Sequence, residues 1–195
     1  MKIESFVNSY KDRLMGLIEI IDENLVKEII EKLDKAEKNN ATIFILGNGG
    51  SAATASHMVN DLGVGLKRRK IKNLKVQSLA DNTPVCTAIA NDIGYENIFY
   101  MQLKEMLKKE DVVIAISCSG NSPNIVKAVS YAKEIGSCII GLTGFDGGEL
   151  KKISDINFHV DTPSASYGLV EDVHMILDHI IYSYYIESDN NKPKG

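Results

Sequence analysis

The segment from Ala41 to Leu62 constrains the fold more than any other part of the chain. Residues 42–46 form a short, mostly apolar run of β-forming residues without helical periodicity, which is typical of a parallel strand covered on both faces. Ser51 can cap a following helix, and before it come four residues that suit a tight turn: Gly47, Asn48, Gly49 and Gly50. The order of strand, glycine-rich turn and helix predicts an α/β fold with this turn at the reactive edge of a sheet.

This glycine-rich turn allows two interpretations. Free N–H groups and the positive end of a helix attract a phosphate or a carboxylate at such a place. Many turns of this kind, however, only reverse the chain. The turn lacks both the GK[ST] of a Walker loop and the G-x-G-x-x-G spacing of a dinucleotide fingerprint, which excludes those two classes of nucleotide site.

The rest of the chain continues the alternation of strands and helices. Amphipathic periodicity predicts two helices, 5–21 and 23–38, before the first strand. Further strands are predicted at 74–79, 112–116, 138–142 and near 156–160, and further helices at 83–92, 96–108, 125–135 and about 168–186. This pattern predicts a three-layer αβα sandwich with a five-stranded parallel sheet. We expect one domain over 1–195, with an N-terminal helical extension over 1–40.

Composition narrows the class of protein. With 195 residues and 44% hydrophobic content, the chain can bury one good core. Its net charge of −4 argues against a nucleic-acid surface. The three cysteines (Cys86, Cys118 and Cys138) are an odd number and form no CxxC pair, so neither a disulfide framework nor a thiolate zinc site is indicated. This fits a reducing cytosol. No signal peptide opens the chain and no apolar run reaches about 18 residues, so we expect a cytoplasmic protein without membrane contact.

The first predicted helix carries an apolar stripe whose partner the sequence does not identify. The stripe consists of Phe6, Leu14, Leu17 and Ile21. Few other elements remain to cover it, so it can pack against a second subunit. Packing on its own domain explains the stripe equally well, and both interpretations stay open.

A second polar turn follows the third predicted strand. Four hydrogen-bonding side chains fall within six residues there: Ser117, Ser119, Asn121 and Ser122. Pro123 follows in the first helical turn. Hydroxyls combined with helix N–H groups suit a phosphate monoester. The alternative is a serine-rich loop that only caps its helix.

Three motifs together resemble a known family. GNGGS after the first strand, SCSGNS after the third and LTGFDGG after the fourth are similar to the sugar isomerase (SIS) family, in its phosphoheptose isomerase branch. The resemblance covers nearly the whole chain. It implies a flavodoxin-like arrangement of the sheet, a phosphorylated sugar as substrate, and a homotetramer with sites shared between subunits. It also implies substrate contacts at Asn48, Gly49, Gly50, Ser51, Asn91, Asp92, Ser117, Cys118, Ser119, Ser122 and Glu171.

Helix geometry selects further candidates. His57 and Asp61 are four residues apart and therefore share one face of the helix that Ser51 opens, although an exposed surface pair would look the same. On the last helix, Glu171 lies opposite a predicted apolar stripe, flanked by His174 and His179; the stripe comprises Val173, Ile176, Leu177, Ile180 and Tyr184. Geometry alone does not choose between the two histidines.

The resemblance to phosphoheptose isomerases makes that choice. It matches His57, Asp61, Glu171 and His179 to the family's His, Glu, Gln and His, which serve as zinc ligands and acid-base groups. Here Asp61 is one methylene shorter than the family's Glu, and Glu171 carries a charge where the family has an amide. The implied cofactor is a divalent metal, zinc, bound by His57, Asp61, Glu171 and His179.

The implied reaction is the isomerisation of D-sedoheptulose 7-phosphate to D-glycero-D-manno-heptose 7-phosphate through an enediolate. Asp61 is the first candidate base, Glu171 the second, and His179 the acid. Two alternatives remain: a sugar-phosphate-binding SIS module without activity, and a relative that binds a replication initiator. The basic run 67–70 could face an acidic partner, but we interpret it as a solvated loop.

Overall fold

Five parallel strands form the centre of the computed structural model, which describes residues 2–191. They are β1 (Thr42–Gly47), β2 (Lys75–Ser78), β3 (Val112–Ser117), β4 (Cys138–Gly144) and β5 (Ile156–Val160). Their order across the sheet is β2-β1-β3-β4-β5, and every neighbouring pair is parallel. The predicted fold class is confirmed, and each predicted strand lies within two residues of its observed bounds.

Helices cover both faces of this sheet. They are α1 (Ile3–Glu19), α2 (Glu23–Lys38), α3 (Gly50–Met58), α4 (Leu66–Arg68), α5 (Thr83–Ile93), α6 (Tyr100–Leu103), α7 (Pro123–Ile135), α8 (Gly148–Ile153) and α9 (Tyr167–Asn190). The side chains of β1 alternate between two cores: Ile43 and Ile45 pack with α2, α3 and α9, and Phe44 and Leu46 pack with α6 and α7. This burial on both sides explains why β1 reads as a continuous apolar run.

A π-helix over Val59–Gly65 joins α3 to α4. The insertion widens one stretch of an otherwise continuous helix, and such insertions occur often at functional sites. Gly65 ends it against α9, where a Cβ would come within 2.8 Å of the Tyr182 hydroxyl oxygen. The end of the π-helix therefore lies close to α9.

The predicted helix over 96–108 is wrong. The chain forms only a short 3₁₀ turn at Tyr95–Asn97 and the four residues of α6. Glu105 takes a positive φ of 64°, which ends any regular helix. Burial of Phe99, Leu103 and Leu107 in the second core fixes this irregular path, so tertiary packing overrides the helical pattern.

The apolar stripe of α1 has two different surroundings. No residue of α1 is fully buried, but Leu14, Leu17 and Ile21 pack at the edge of the core. Phe6 keeps 39% of its surface exposed. Tyr10 donates a 2.6 Å hydrogen bond to the Asp172 carboxylate on α9, and this bond, with burial, raises the pKa of Tyr10 to about 12.

The apolar stripe predicted for α9 is partly wrong. Ile180 and Tyr184 are 36% and 52% exposed, whereas Ile181 and Tyr185 are buried. Tyr185 donates a 3.0 Å hydrogen bond to Asp34 on α2, which sets the rotation of α9 at that end. Within residues 2–191, no helix has the length and apolar character needed to cross a bilayer.

Candidate active site

The turns after β1 and β3 meet at one edge of the sheet. Gly47 lies opposite Ile116 in the parallel register of these strands, so both turns start at the same level. The strand order reverses between β1 and β3, and ligands of such sheets bind in the crevice beyond that point. A cavity of about 150 Å³ opens there, lined by Asn48, Ser51, Ile116, Ser117, Cys118, Ser119, Ser122, Tyr167 and Glu171.

Glycines let the first turn bend sharply into α3. Gly49 adopts a φ of 52° and precedes the first residue of the helix. A Cβ on Gly47 would lie 2.6 Å from the carbonyl oxygen of Ser51, so only glycine fits there. The predicted capping role of Ser51 is wrong: it lies buried inside the first turn of α3, and its side chain makes no cap hydrogen bond.

An amide pair locks the two turns together. Asn48 and Asn124 donate to each other's side-chain oxygens over 2.9 Å in both directions. The hydroxyl of Tyr95 also donates to Asn48, over 2.9 Å. Asn124, which is fully buried at the start of α7, was not singled out from the sequence, because only the folded chain brings it to Asn48.

The serines of the second turn are partly engaged in holding the turn itself. The hydroxyl oxygen of Ser117 accepts from the Gly120 N–H over 3.2 Å, and that of Ser119 accepts from the Asn121 N–H over 3.3 Å. Ser122 immediately precedes α7 and makes no side-chain cap bond. Since an accepting hydroxyl still has its own proton, Ser119 can donate to an anion in the cavity.

Glu171 lies over the first turn. A Cβ on Gly50 would overlap its carboxylate, which would have to move aside. Burial and the nearby Glu171 charge raise the pKa of the Cys118 thiol to about 11, which keeps the thiol protonated at neutral pH. Glu171 therefore contacts the same small volume as the two turns.

Four predicted substrate contacts are not among the residues that line this cavity: Gly49, Gly50, Asn91 and Asp92. Asn91 and Asp92 are exposed near the end of α5 and hydrogen-bond each other over 2.9 Å. Neither belongs to the residues that line the cavity. Their contribution to substrate binding stays a prediction.

Two turns further along, four side chains from α3, the π-helix that follows it and α9 converge into a group that we name the His/Asp cluster. It consists of His57, Asp61, Asp178 and His179, whose ligand-type atoms all lie within 4.8 Å of one another. The Nε2 atom of His57 lies 3.1 Å from Nε2 of His179 and 3.4 Å from Oδ2 of Asp61. His57 and Asp61, which their spacing predicts on one face, therefore lie beside His179 of α9.

Asp178 is a member that sequence reasoning missed. It is fully buried, and neither of its carboxylate oxygens has a hydrogen-bond partner within the described chain. Burial, followed by the charge of Asp61, raises the pKa of Asp178 to about 7. An unpaired buried carboxylate is costly, and a divalent cation among two imidazoles and two carboxylates would offset that cost. The residues present therefore fit a zinc-type ion.

Of the four predicted metal ligands, Glu171 lies apart from the other three. Glu171 is not a member of the His/Asp cluster, although His57, Asp61 and His179 are. Its carboxylate instead lies beside Gly50, and Glu171 lines the cavity of about 150 Å³. Metal ligation by Glu171 stays a prediction.

His174 lies buried in the core of the protein. It is fully buried, and its Nε2 lies 3.2 Å from the carbonyl oxygen of Thr143 on β4. Burial lowers the pKa of His174 to about 4, only partly opposed by the hydrogen bond to Thr143. Helix geometry alone does not choose which of His174 and His179 belongs to the site. The fold brings His179 to the His/Asp cluster.

We expect His174 to make stability depend on pH. Its pKa is depressed in the folded protein, so the unfolded chain binds more protons between about pH 6.5 and pH 4, and stability falls as pH drops through this window. The loss should reach roughly 3 kcal/mol. Urea denaturation at several pH values, with a chelator present, measures it. His174→Gln should lack this part of the pH dependence, and equal slopes in both proteins would contradict the assignment.

A larger cavity of about 640 Å³ opens at the opposite edge of the sheet. Its lysines are accompanied by Glu110, Asp111 and Asp155, and Lys133 pairs with Asp155 over 2.5 Å. This balance of charge does not favour an anion. The amino ends of parallel strands are also not where ligands of such folds bind.

Comparison with known proteins places this geometry in a family. Residues 5–144 match the SIS domain. A phosphoheptose isomerase from Helicobacter pylori (strain P12) is 38% identical over 173 residues, covering 89% of this chain and 88% of that protein. The phosphoheptose isomerase of Geotalea daltonii is 39% identical over 156 residues, covering 78% and 81% of the two chains.

A solved structure agrees with these relatives. The phosphoheptose isomerase from Neisseria gonorrhoeae superposes with a TM-score of 0.82 at 26% identity, covering 95% of this chain and 97% of the other. The similarity therefore extends over the sheet, both turns and the first and last helices.

Proposed function

The chain belongs to the SIS domain family, in its phosphoheptose isomerase branch, and we propose that it converts D-sedoheptulose 7-phosphate to D-glycero-D-manno-heptose 7-phosphate. One observation carries the proposal. α3 and α9 begin beside a small polar cavity, and two turns later α9, α3 and the π-helix that continues α3 carry the His/Asp cluster. A phosphate handle and an acid-base centre are thus held at a fixed separation.

The cavity supplies the phosphate end. It is lined by Ser51 in the first turn of α3 and by Ser119 and Ser122 just before α7, and helix N-termini attract anions. The Asn48–Asn124 pair fixes the relative position of the two turns. Binding through the phosphate leaves the rest of the sugar free to extend along the two helices.

The separation suits a long sugar. α3 and α9 run in the same direction, since Gly50 contacts Glu171 and His57 contacts His179. Seven residues of helix advance by roughly 10 Å. With bonds of about 1.5 Å, the extended path from C2 of a heptulose to its phosphorus spans roughly 9 Å, whereas a triose phosphate spans less than half of that. The geometry therefore supports a heptose over a short sugar phosphate.

The cluster supplies the chemistry at the carbonyl end. Isomerisation moves a proton between C1 and C2, so it needs a base at carbon and an acid at oxygen. Asp61 is the proposed base, with Glu171 as the second candidate, and His179 is the proposed acid. A bound zinc ion would supply positive charge that stabilises the enediolate oxygens. His57, Asp61 and His179 would hold that ion.

We further propose a homotetramer in the cytoplasm. α1 and α9 leave apolar side chains exposed, including Ile3 at 66% and Tyr184 at 52%, and an assembly would cover them. Sites shared between subunits would place such a surface next to the cavity. The free cysteines suit a reducing compartment.

Ser119→Ala should weaken binding of the sugar phosphate by roughly 1.5 to 3 kcal/mol, because the variant loses a hydrogen bond to a charged group. Isothermal titration with the ketose phosphate measures the change. Ser130→Ala on α7 is the matched control, since Ser130 does not line the cavity. Equal affinities of the two variants would make the second turn a simple helix cap.

Incubation of the purified protein with ketose phosphates of three to seven carbons, with and without a chelator, tests the function directly. We expect conversion of the seven-carbon substrate and loss of turnover in the chelator. Binding of a sugar phosphate without conversion of any would overturn the isomerase proposal in favour of a binding module.

A further inference from the structure

Asp178 is a buried carboxyl group that makes no hydrogen bond in the described part of the chain. It is 0% exposed, and neither carboxylate oxygen has a hydrogen-bond partner among residues 2–191. Buried charges in proteins are normally paired, hydrogen-bonded or bound to a metal. The position of Asp178 beside two imidazoles therefore needs a physical reason.

The contacts of Asp178 separate two possible roles. A carboxylate that only orients a metal-binding histidine hydrogen-bonds the ring nitrogen that does not bind the metal. Asp178 instead lies 3.9 Å from Nε2 of His57. The same nitrogen faces His179 at 3.1 Å and Asp61 at 3.4 Å. Asp178 thus lies on the side where the other candidate ligand atoms converge.

The separations have the size of a tetrahedral site. With metal–ligand bonds of about 2.0 to 2.1 Å, neighbouring ligand atoms of a tetrahedral zinc lie about 3.3 to 3.4 Å apart. The three distances at His57 Nε2, from 3.1 to 3.9 Å, bracket that value. Two carboxylates would also balance the charge of a divalent ion in a buried place.

The setting of Glu171 completes the argument. Its carboxylate lies against Gly50 and near the Cys118 thiol, and it is absent from the cluster. Seven helical residues, or about 10 Å of rise, separate it from Asp178. In this arrangement Glu171 cannot line the cavity and bind a metal in the His/Asp cluster at the same time.

We propose that Asp178 is the fourth metal ligand of this protein, completing the set His57, Asp61 and His179, and that Glu171 is left to contact the substrate. The proposal rests on the metal part of the proposed function. It assigns a ligand set of two imidazoles and two aspartates, which differs from the set that the resemblance implies.

Zinc titration of the metal-stripped full-length protein, without substrate, tests the assignment. Asp178→Asn should raise the zinc dissociation constant by more than about 100-fold, beyond the 10- to 100-fold range of an outer-shell partner. Glu171→Gln is the matched control and should stay within about threefold of the wild type. The visible absorption of the Co²⁺-loaded protein should change in Asp178→Asn and stay the same in Glu171→Gln.

Folding is checked separately. The metal-free Asp178→Asn variant should melt no lower than the wild type, because it removes an unpaired buried charge. Asp178→Ser is titrated in parallel, so a folding defect of one variant does not decide the result. Wild-type zinc affinity in a folded Asp178 variant, or an equal loss in Glu171→Gln, would overturn the proposal. Turnover of the ketose phosphate by the wild type is a separate measurement, so this failure can be told apart from failure of the isomerase proposal.

Discussion

Replacing His179 or Asp61 with alanine should lower turnover of the sugar phosphate at least about 100-fold while leaving its binding nearly unchanged. Loss of a group used in the chemical step lowers kcat without raising the dissociation constant. Removing an acid or a base typically lowers the rate by 10²- to 10⁴-fold. In the proposed binding mode the phosphate lies about 10 Å from the cluster, so affinity should survive. Steady-state kinetics together with isothermal titration separate the two effects.

His174→Gln provides the matched control on the same helix. His174 is buried against Thr143 and does not belong to the cluster, so its replacement should affect stability more than turnover. We expect a kcat within about fivefold of the wild type for the folded variant. If the His174 variant loses turnover and His179→Ala retains it, the assignment of the acid is wrong.

The sheet and its two turns were predictable because local signals agree there. Residues 42–46 lack helical periodicity, and glycines follow where the chain must bend sharply, as the φ of 52° at Gly49 shows. Four hydroxyl and amide side chains then mark the matching turn after β3. Both signals depend only on neighbours in sequence, so the fold did not have to be known.

Asp178 could not be predicted, because its role depends on the rotation of α9. The sequence offered an apolar stripe through Ile180 and Tyr184, but the helix buries Ile181 and Tyr185 instead. That rotation is set by contacts with α2 and with the π-helix, such as the Tyr185–Asp34 hydrogen bond. With this rotation Asp178 points into the cluster rather than away from it.

The π-helix and the Asn48–Asn124 pair were missed for a similar reason. Residues 59–65 contain two glycines and no pattern that distinguishes a π-helix from an α-helix. Asn124 lies 76 residues from Asn48 and meets it only because β1 and β3 are neighbours. Motifs therefore located the two turns that line the cavity, whereas tertiary packing determines which further side chains lie beside them.

The contact between the turn after β3 and the turn after β4 gives a second test. Gly120 has a φ of 63°, and its carbonyl accepts from the Leu150 N–H over 2.9 Å. A Cβ on Gly120 would overlap the backbone carbonyl of Gly147, which has no side chain that could move aside. The SCSGNS and LTGFDGG motifs are thus held together through backbone contacts that tolerate only glycine.

Gly120→Ala should therefore destabilise the protein by about 3 kcal/mol or more, combining left-handed backbone strain with overpacking. Gly136→Ala is the matched control. Gly136 has a comparable φ of 83°, but a Cβ there would meet only the Lys109 side chain at ordinary distances of 3.7 Å and more. It should cost only about 1 kcal/mol. Urea denaturation gives both free energies. Phosphate-ligand affinity should fall in Gly120→Ala alone, because Ser119 and Ser122 flank the displaced residue. Similar stability and affinity in the two variants would show that the turns are not held together in this way.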